Sequence, residues 1–127
     1  MSIPPVVSIY GNSDSGKTEL VTELVEDFSG ASMKVCTIKH SPGDISLDQE
    51  GKDTWRHKSA GARLTVFASD VETSFLAPEK MELEEILEKI AEISSPDLVI
   101  AEGYKDEDVP KIAVGDIDTR DNTLEKF

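Results

Sequence analysis

The feature that most constrains this chain is an octapeptide, Gly11-Asn12-Ser13-Asp14-Ser15-Gly16-Lys17-Thr18, set between two runs of different periodicity. Before it, Val6 to Tyr10 is a short apolar run that reads as a buried strand. After it, Leu20, Val21, Leu24, Val25 and Phe28 recur at helical spacing over Lys17 to Phe28, with Gly30 as the expected stop. The octapeptide satisfies G-x-x-x-x-G-K-[ST], a loop whose backbone curls so that successive N–H groups face phosphate oxygens. The helix N-terminus behind it adds about half a positive charge. In this pattern Lys17 reaches the β- and γ-phosphates and the Thr18 hydroxyl ligates Mg²⁺. All eight residues, Gly11, Asn12, Ser13, Asp14, Ser15, Gly16, Lys17 and Thr18, are therefore candidate phosphate-binding positions. Asp14 places a carboxylate in a loop for anions: outward-pointing or capping a neighbouring N–H it is harmless, whereas pointing inward it would weaken binding by like-charge repulsion.

Met33 to Ile38 reads as a second strand, and strand–helix–strand within so short a span predicts a parallel βαβ unit. Ser41 to Gln49 reads as a loop and Glu50 to Ala62 as a short helix. Arg63–Ala68 and Glu72–Leu76 are β-like, forming either a hairpin or two adjacent edge strands. Pro78 is expected to open a helix reaching Ile93, with Leu83, Ile86, Leu87 and Ile90 as its apolar stripe and Glu82, Glu84, Glu85, Glu88 and Glu92 on its solvated side. After the Ser94-Ser95-Pro96 break, Leu98 to Ala101 is a continuous apolar run, as in a central parallel strand covered on both faces. Lys111 to Val114 is a candidate last strand, and the polar stretch from Gly115 to Phe127 reads as a poorly ordered tail. Strands alternating with helices define a layered α/β fold.

Glu102 ends the Leu98–Ala101 run. In a parallel sheet all C-terminal strand ends share one edge, so Glu102 is expected near the glycine loop, holding a Mg²⁺-bound water or orienting an attacking one. Asp97 starts the same run, at the opposite edge, and reads as a cap or turn residue.

Charge narrows the ligand. The 127 residues carry 26 acids against 13 bases, a net charge of −13, which excludes a general nucleic-acid surface and adhesion to an anionic membrane. Yet residues 34–63 hold Lys34, Lys39, Lys52, Arg56, Lys58 and Arg63 against Asp44, Asp48, Glu50 and Asp53, with both histidines, His40 and His57, among them. A locally basic segment in an acidic chain suits one small anion better than a polyanion. The single cysteine, Cys36, allows no intrachain disulfide and reads as a small core residue. No leader-like N-terminus and no span-length apolar run is visible, so the cytoplasm is the expected compartment.

The block Gly51-Lys52-Asp53-Thr54-Trp55-Arg56-His57-Lys58-Ser59-Ala60-Gly61-Ala62 is more specific than the loop. Taken with Gly11–Thr18, Ile38-Lys39-His40 and Val99-Ile100-Ala101-Glu102-Gly103-Tyr104-Lys105, it resembles the molybdopterin-guanine dinucleotide biosynthesis protein B family, over nearly the whole chain. The resemblance implies one three-layer P-loop NTPase domain over residues 1–127, with a mostly parallel sheet and a β-hairpin or edge-strand extension. It implies GTP and Mg²⁺ as ligands, hydrolysed slowly at most, and a homodimer that assists the guanylyltransferase joining GMP to molybdopterin, with molybdopterin itself a further ligand. It assigns Lys17, Glu102 and Asp53 to catalysis, Thr18 and Glu102 to the metal, and Asp53 and Arg56 to the γ-phosphate or the incoming pterin. Ser41-Pro42-Gly43 stand where the family often has further histidines, which leaves His40 a weak ligand signal. A C-terminal part usual in the family would lie beyond Val114. Two other functions fit the glycine loop: a nucleotide-binding scaffold without turnover, and a small-molecule kinase with its acceptor near Lys39–Arg63.

Overall fold

The computed structural model describes residues 3–12 and 15–115. In chain order the elements are β1 (Val6–Gly11), α1 (Lys17–Gly30), β2 (Val35–Lys39), α2 (Asp53–Ser59), β3 (Thr65–Ala68), β4 (Thr73–Leu76), α3 (Leu83–Ser94), β5 (Leu98–Glu102) and β6 (Lys111–Val114). They fall into two compact units, one built from the segments up to Ser41 and from Glu82 onward, the other Pro42–Met81.

In the first unit four strands form a parallel sheet in the order β2-β5-β1-β6. The apolar run of β5 therefore lies between β1 and β2, which are parallel as expected but not neighbours. Val99 and Ile100, both fully buried, face opposite ways. Ile100 packs with Ile9 and with Val21 of α1, whereas Val99 packs with Leu83 and Leu87 of α3. One helix on each face makes three layers, and burial of both faces explains why β5 reads as unbroken apolar sequence.

Two element ends differ from the sequence expectation. α1 runs through Gly30, and Ala31 and Ser32 close it, with Ser32 taking the left-handed turn (φ 66°) instead of the glycine. α3 starts at Leu83, not Pro78, because its apolar stripe begins only at Leu83; the preceding residues turn, with the Glu79 N–H on the Ala77 carbonyl at 2.8 Å. The helix stops where Ser95 adopts φ 48°, as the Ser94-Ser95-Pro96 break suggested.

Parallel pairing gathers the C-terminal strand ends at one edge: Glu102 is in register with both Ile9 and Lys39, and Gly11 with Val114. At the other edge Asp97 ties β2 to β5, accepting the Lys34 N–H on Oδ2 at 2.8 Å and donating its own N–H to the Lys34 carbonyl at 2.8 Å. That is a turn role, distant from the glycine loop by the length of a strand.

In the second unit β3 and β4 form an antiparallel hairpin as their own two-stranded sheet, with Val66 opposite Phe75. α2 is shorter than the Glu50–Ala62 span expected for it. The loop before it is pinned to it: Thr54 donates to Asp48 Oδ1 at 2.7 Å, and Lys58 Nζ lies 3.1 Å from Ser46 Oγ and 3.6 Å from Asp48 Oδ2. Among the described residues, no helix is long and apolar enough to cross a membrane.

Candidate functional site

β1 delivers Gly11 to the sheet edge and α1 leaves from Gly16, so the glycine loop sits over the C-terminal strand ends. Gly16 is the N-cap of α1 in a left-handed conformation (φ 93°) and supplies no side-chain cap. The first-turn N–H groups of a helix lack intrahelical acceptors, and an anion can serve as their cap. The loop is packed tightly from the β6 side. A Cβ on Gly11 would overlap the Val114 carbonyl, and one on Gly115 would come within 2.8 Å of Ser15 Cβ. Both glycines are there because the chain approaches the loop too closely for a side chain.

A cavity of about 260 Å³ opens at this edge, lined by Ser15, Gly16, Lys17, Thr18, Glu19, Lys39 and Glu102. Thr18 Oγ1 donates a hydrogen bond to Glu102 Oε1 at 2.9 Å. Lys39 Nζ lies 3.6 Å from the same oxygen, with its side chain 68% exposed and that of Glu102 only 13%. The carboxylate is thus largely withdrawn from water between a hydroxyl and an ammonium. The Ser15 hydroxyl is buried and has no hydrogen-bond partner among the described residues. A buried polar atom without a partner calls for one, and a phosphate oxygen at the loop would provide it.

The residues also suit a hard cation. Thr18 and Glu102 present adjoining hydroxyl and carboxylate oxygens, the donor type Mg²⁺ takes. Among the described residues no three His, Cys, Asp or Glu side chains gather to hold a metal by themselves. A Mg²⁺ here would draw its remaining ligands from water and phosphate, as is usual for it.

The structure brings Ser15, Gly16, Lys17, Thr18 and Glu102 together. Gly11 is the pivot beneath them, and the Asn12 carbonyl accepts the Ser15 N–H at 3.2 Å. Ser13 and Asp14 lie outside the described residues. Asp53 and Arg56 are exposed on α2, in the other compact unit. Lys39, named in the basic segment but not among the phosphate or metal residues expected from sequence, is a lining residue; its signal is its place at the end of β2, next to Glu102 in register.

Sequence reasoning also passed over the support of Glu102. Ser8, fully buried in β1, donates its hydroxyl to the Gly103 carbonyl, with the Tyr104 carbonyl also in reach. The Gly103 N–H bonds the Ile9 carbonyl at 2.8 Å, and the His40 N–H bonds the Glu102 carbonyl at 2.9 Å. Beyond this turn the His40 and Tyr104 rings stack, centroids 4.3 Å apart at 18°. Burial pushes the Tyr104 phenol above its usual 10, and Glu107 and Glu82 push it further the same way.

A parallel three-layer sheet with a glycine loop between β1 and α1, and an acid at the end of the neighbouring strand, defines a P-loop α/β protein. The family model for molybdopterin guanine dinucleotide synthesis protein B, MobB, matches residues 6–126, and the chain belongs to that family. The chain is 36% identical over 110 residues to the molybdopterin-guanine dinucleotide biosynthesis adapter protein of Haemophilus influenzae, covering 85% of this chain and 61% of that protein. It is 30% identical over 113 residues to the adapter protein of the same description from Escherichia coli, covering 87% and 65%. Among solved structures, Bacillus subtilis MobB superposes with a TM-score of 0.77 at 25% identity, over 97% of this chain and 75% of that one. The chain spans about half to two-thirds of the length of the curated relatives it matches.

Proposed function

We propose that this chain is a nucleotide-binding adapter in molybdopterin guanine dinucleotide biosynthesis, holding GTP with Mg²⁺ at the glycine loop. The observation that carries the reading is the Thr18–Glu102 contact at 2.9 Å, set beside Lys17 and Lys39 in one cavity. The family supports the pathway, and its adapter relatives support a role in assisting another protein, for which the guanylyltransferase is our candidate.

In this reading the loop N–H groups and the Ser15 hydroxyl bind phosphate oxygens, and Lys17 neutralises the terminal charge. Lys39 sets the position of the Glu102 carboxylate, and Glu102 in turn fixes the Thr18 hydroxyl rotor. Bound Mg²⁺, held by Thr18 and Glu102, would screen phosphate charge and polarise the terminal phosphoryl group. The cavity lining includes two lysines and no arginine, so hydrolysis by the chain alone is slow.

The test is competition binding of GTP against ATP with Mg²⁺, followed by phosphate release with and without the guanylyltransferase. A preference for GTP, and a complex with the partner that requires nucleotide, is expected. Equal affinity for ATP refutes the guanine assignment, and phosphate transfer to a small-molecule acceptor would make the chain a kinase.

A further inference from the structure

We propose that Lys39 is an exchangeable counter-ion for the metal carboxylate: it shields Glu102 from divalent cations until phosphate enters the cavity, and then gives the carboxylate up. Lys39 Nζ lies 3.6 Å from Glu102 Oε1, the same oxygen that accepts the Thr18 hydroxyl at 2.9 Å. That oxygen belongs to the donor pair suited to Mg²⁺, so the lysine charge stands beside the place a metal would take. A cation approaching Glu102 meets a like charge first. The release step rests on the proposed nucleotide reading; the exclusion of bare metal does not.

The two partners are held unequally. Glu102 is fixed by the sheet, paired in register with both Ile9 and Lys39, and its carbonyl accepts the His40 N–H at 2.9 Å. Its side chain is 13% exposed and carries the Thr18 bond. The Lys39 side chain is 68% exposed, and 3.6 Å is too long for a hydrogen bond. It is held by charge alone, on a flexible four-carbon stem, as in the weak ion pairs of protein surfaces. When the pair parts, the lysine moves and the carboxylate stays.

Charge in the cavity gives the trigger. Its charged lining is Lys17 and Lys39 against Glu19 and Glu102, two of each sign. A bare divalent ion gains little from a lining whose carboxylates are already matched by ammonium groups. A phosphate group brings the negative charge that competes for Lys39, and Glu102 is then left largely withdrawn from water with a hydroxyl as its remaining partner. A carboxylate in that state recruits a cation, because an unpaired charge withdrawn from water is costly. Phosphate and metal thus favour each other through one lysine, and the coupling is reciprocal.

The probe is Mn²⁺, whose free ion is followed by electron paramagnetic resonance. It is titrated without nucleotide into the full chain, into Lys39→Met and Lys39→Arg, and into the Lys39→Met, Glu102→Gln double variant. Lys39→Met should bind Mn²⁺ about 5- to 30-fold more tightly than the wild type, the span from losing an exposed ion pair to removing a unit charge beside a divalent ion. Lys39→Arg keeps the charge and should stay within a few-fold of the wild type, and Glu102→Gln should cancel the gain. The ratio of GTP affinity with Mn²⁺ to that with chelator reports metal affinity in the nucleotide complex. There the wild type and Lys39→Met should agree within a few-fold, because phosphate has already drawn the lysine away. No gain in Lys39→Met, a gain that survives Glu102→Gln, or an equal gain in Lys39→Arg overturns the proposal. So does a gain that persists at full size in the nucleotide complex, or no Mn²⁺ binding to Lys39→Met at millimolar concentration. A wild-type chain that binds no GTP, with the Mn²⁺ gain present in Lys39→Met, would instead refute the nucleotide reading and leave metal exclusion by Lys39 standing.

Discussion

Gly103→Ala perturbs the turn that carries Glu102, and its cost follows from two separable causes. The first is conformational: Gly103 has φ 110°, and placing an L residue in such a region costs roughly 1–3 kcal/mol. The second is crowding, because the new methyl would sit 3.1 Å from two atoms of His40, one of them backbone. Overpacking of this kind adds about 1–3 kcal/mol. Gly43 isolates the first cause, since it has φ 103° with nothing within 4 Å of an added Cβ. With a urea slope of about 2 kcal/mol per molar, the Gly103→Ala midpoint should fall by roughly 1–3 M and the Gly43→Ala midpoint by clearly less. The assay is equilibrium urea unfolding followed by the single tryptophan and by far-UV circular dichroism. A Gly103→Ala midpoint equal to that of Gly43→Ala would refute the crowding argument and with it the close seating of His40 on this turn.

Other consequences are simpler to state. Ser8→Ala leaves the part-buried Gly103 carbonyl without its donor and should cost about 1–3 kcal/mol in unfolding free energy, with apparent Mg²⁺ affinity falling as the Glu102 turn loosens. Ile100→Ala, at a fully buried position between Ile9 and Val21, should cost about 2–5 kcal/mol in the same assay. Because burial raises the folded-state phenol above 10, the unfolded chain loses that proton first as the pH climbs. Stability from Tyr104 is therefore complete below pH 10 and declines as pH rises past it; Tyr104→Phe should flatten a pH-dependent unfolding curve in that window. Thr18→Val should make nucleotide affinity insensitive to added Mg²⁺ while Lys17 still contacts phosphate, as a titration with and without chelator would show.

How far the chain could be read beforehand varied with the range of the forces involved. β1, the glycine loop and α1 are local in sequence, and their periodicity and loop chemistry name them directly. β5 was recognisable as central because burial on both faces leaves no polar alternation in Leu98–Ala101. Its insertion between β1 and β2 was not, since no local pattern encodes which distant strands pair. Pro78 misled because a proline suits a first helical turn anywhere, whereas the apolar stripe that docks α3 on the sheet begins five residues later. Ser8 is the one polar residue in the Val6–Tyr10 run, and only the fold shows that it reaches across to a turn at the end of β5. Glu102 was placed from the geometry of parallel sheets alone, and its bond to Thr18 has the same origin. The relation of Asp53 and Arg56 to the loop involves two compact units, which sequence spacing does not address.

The central claim is that the loop between β1 and α1 holds nucleotide phosphate through Lys17, with Thr18 and Glu102 at a Mg²⁺ ion. Calorimetric titration of GTP into the wild-type chain and into Lys17→Ala, each with Mg²⁺ and with chelator, tests it most directly. The account predicts Mg²⁺-dependent binding to the wild type and none to Lys17→Ala, with both proteins equally folded by circular dichroism. Binding of GTP to Lys17→Ala at wild-type affinity would contradict it.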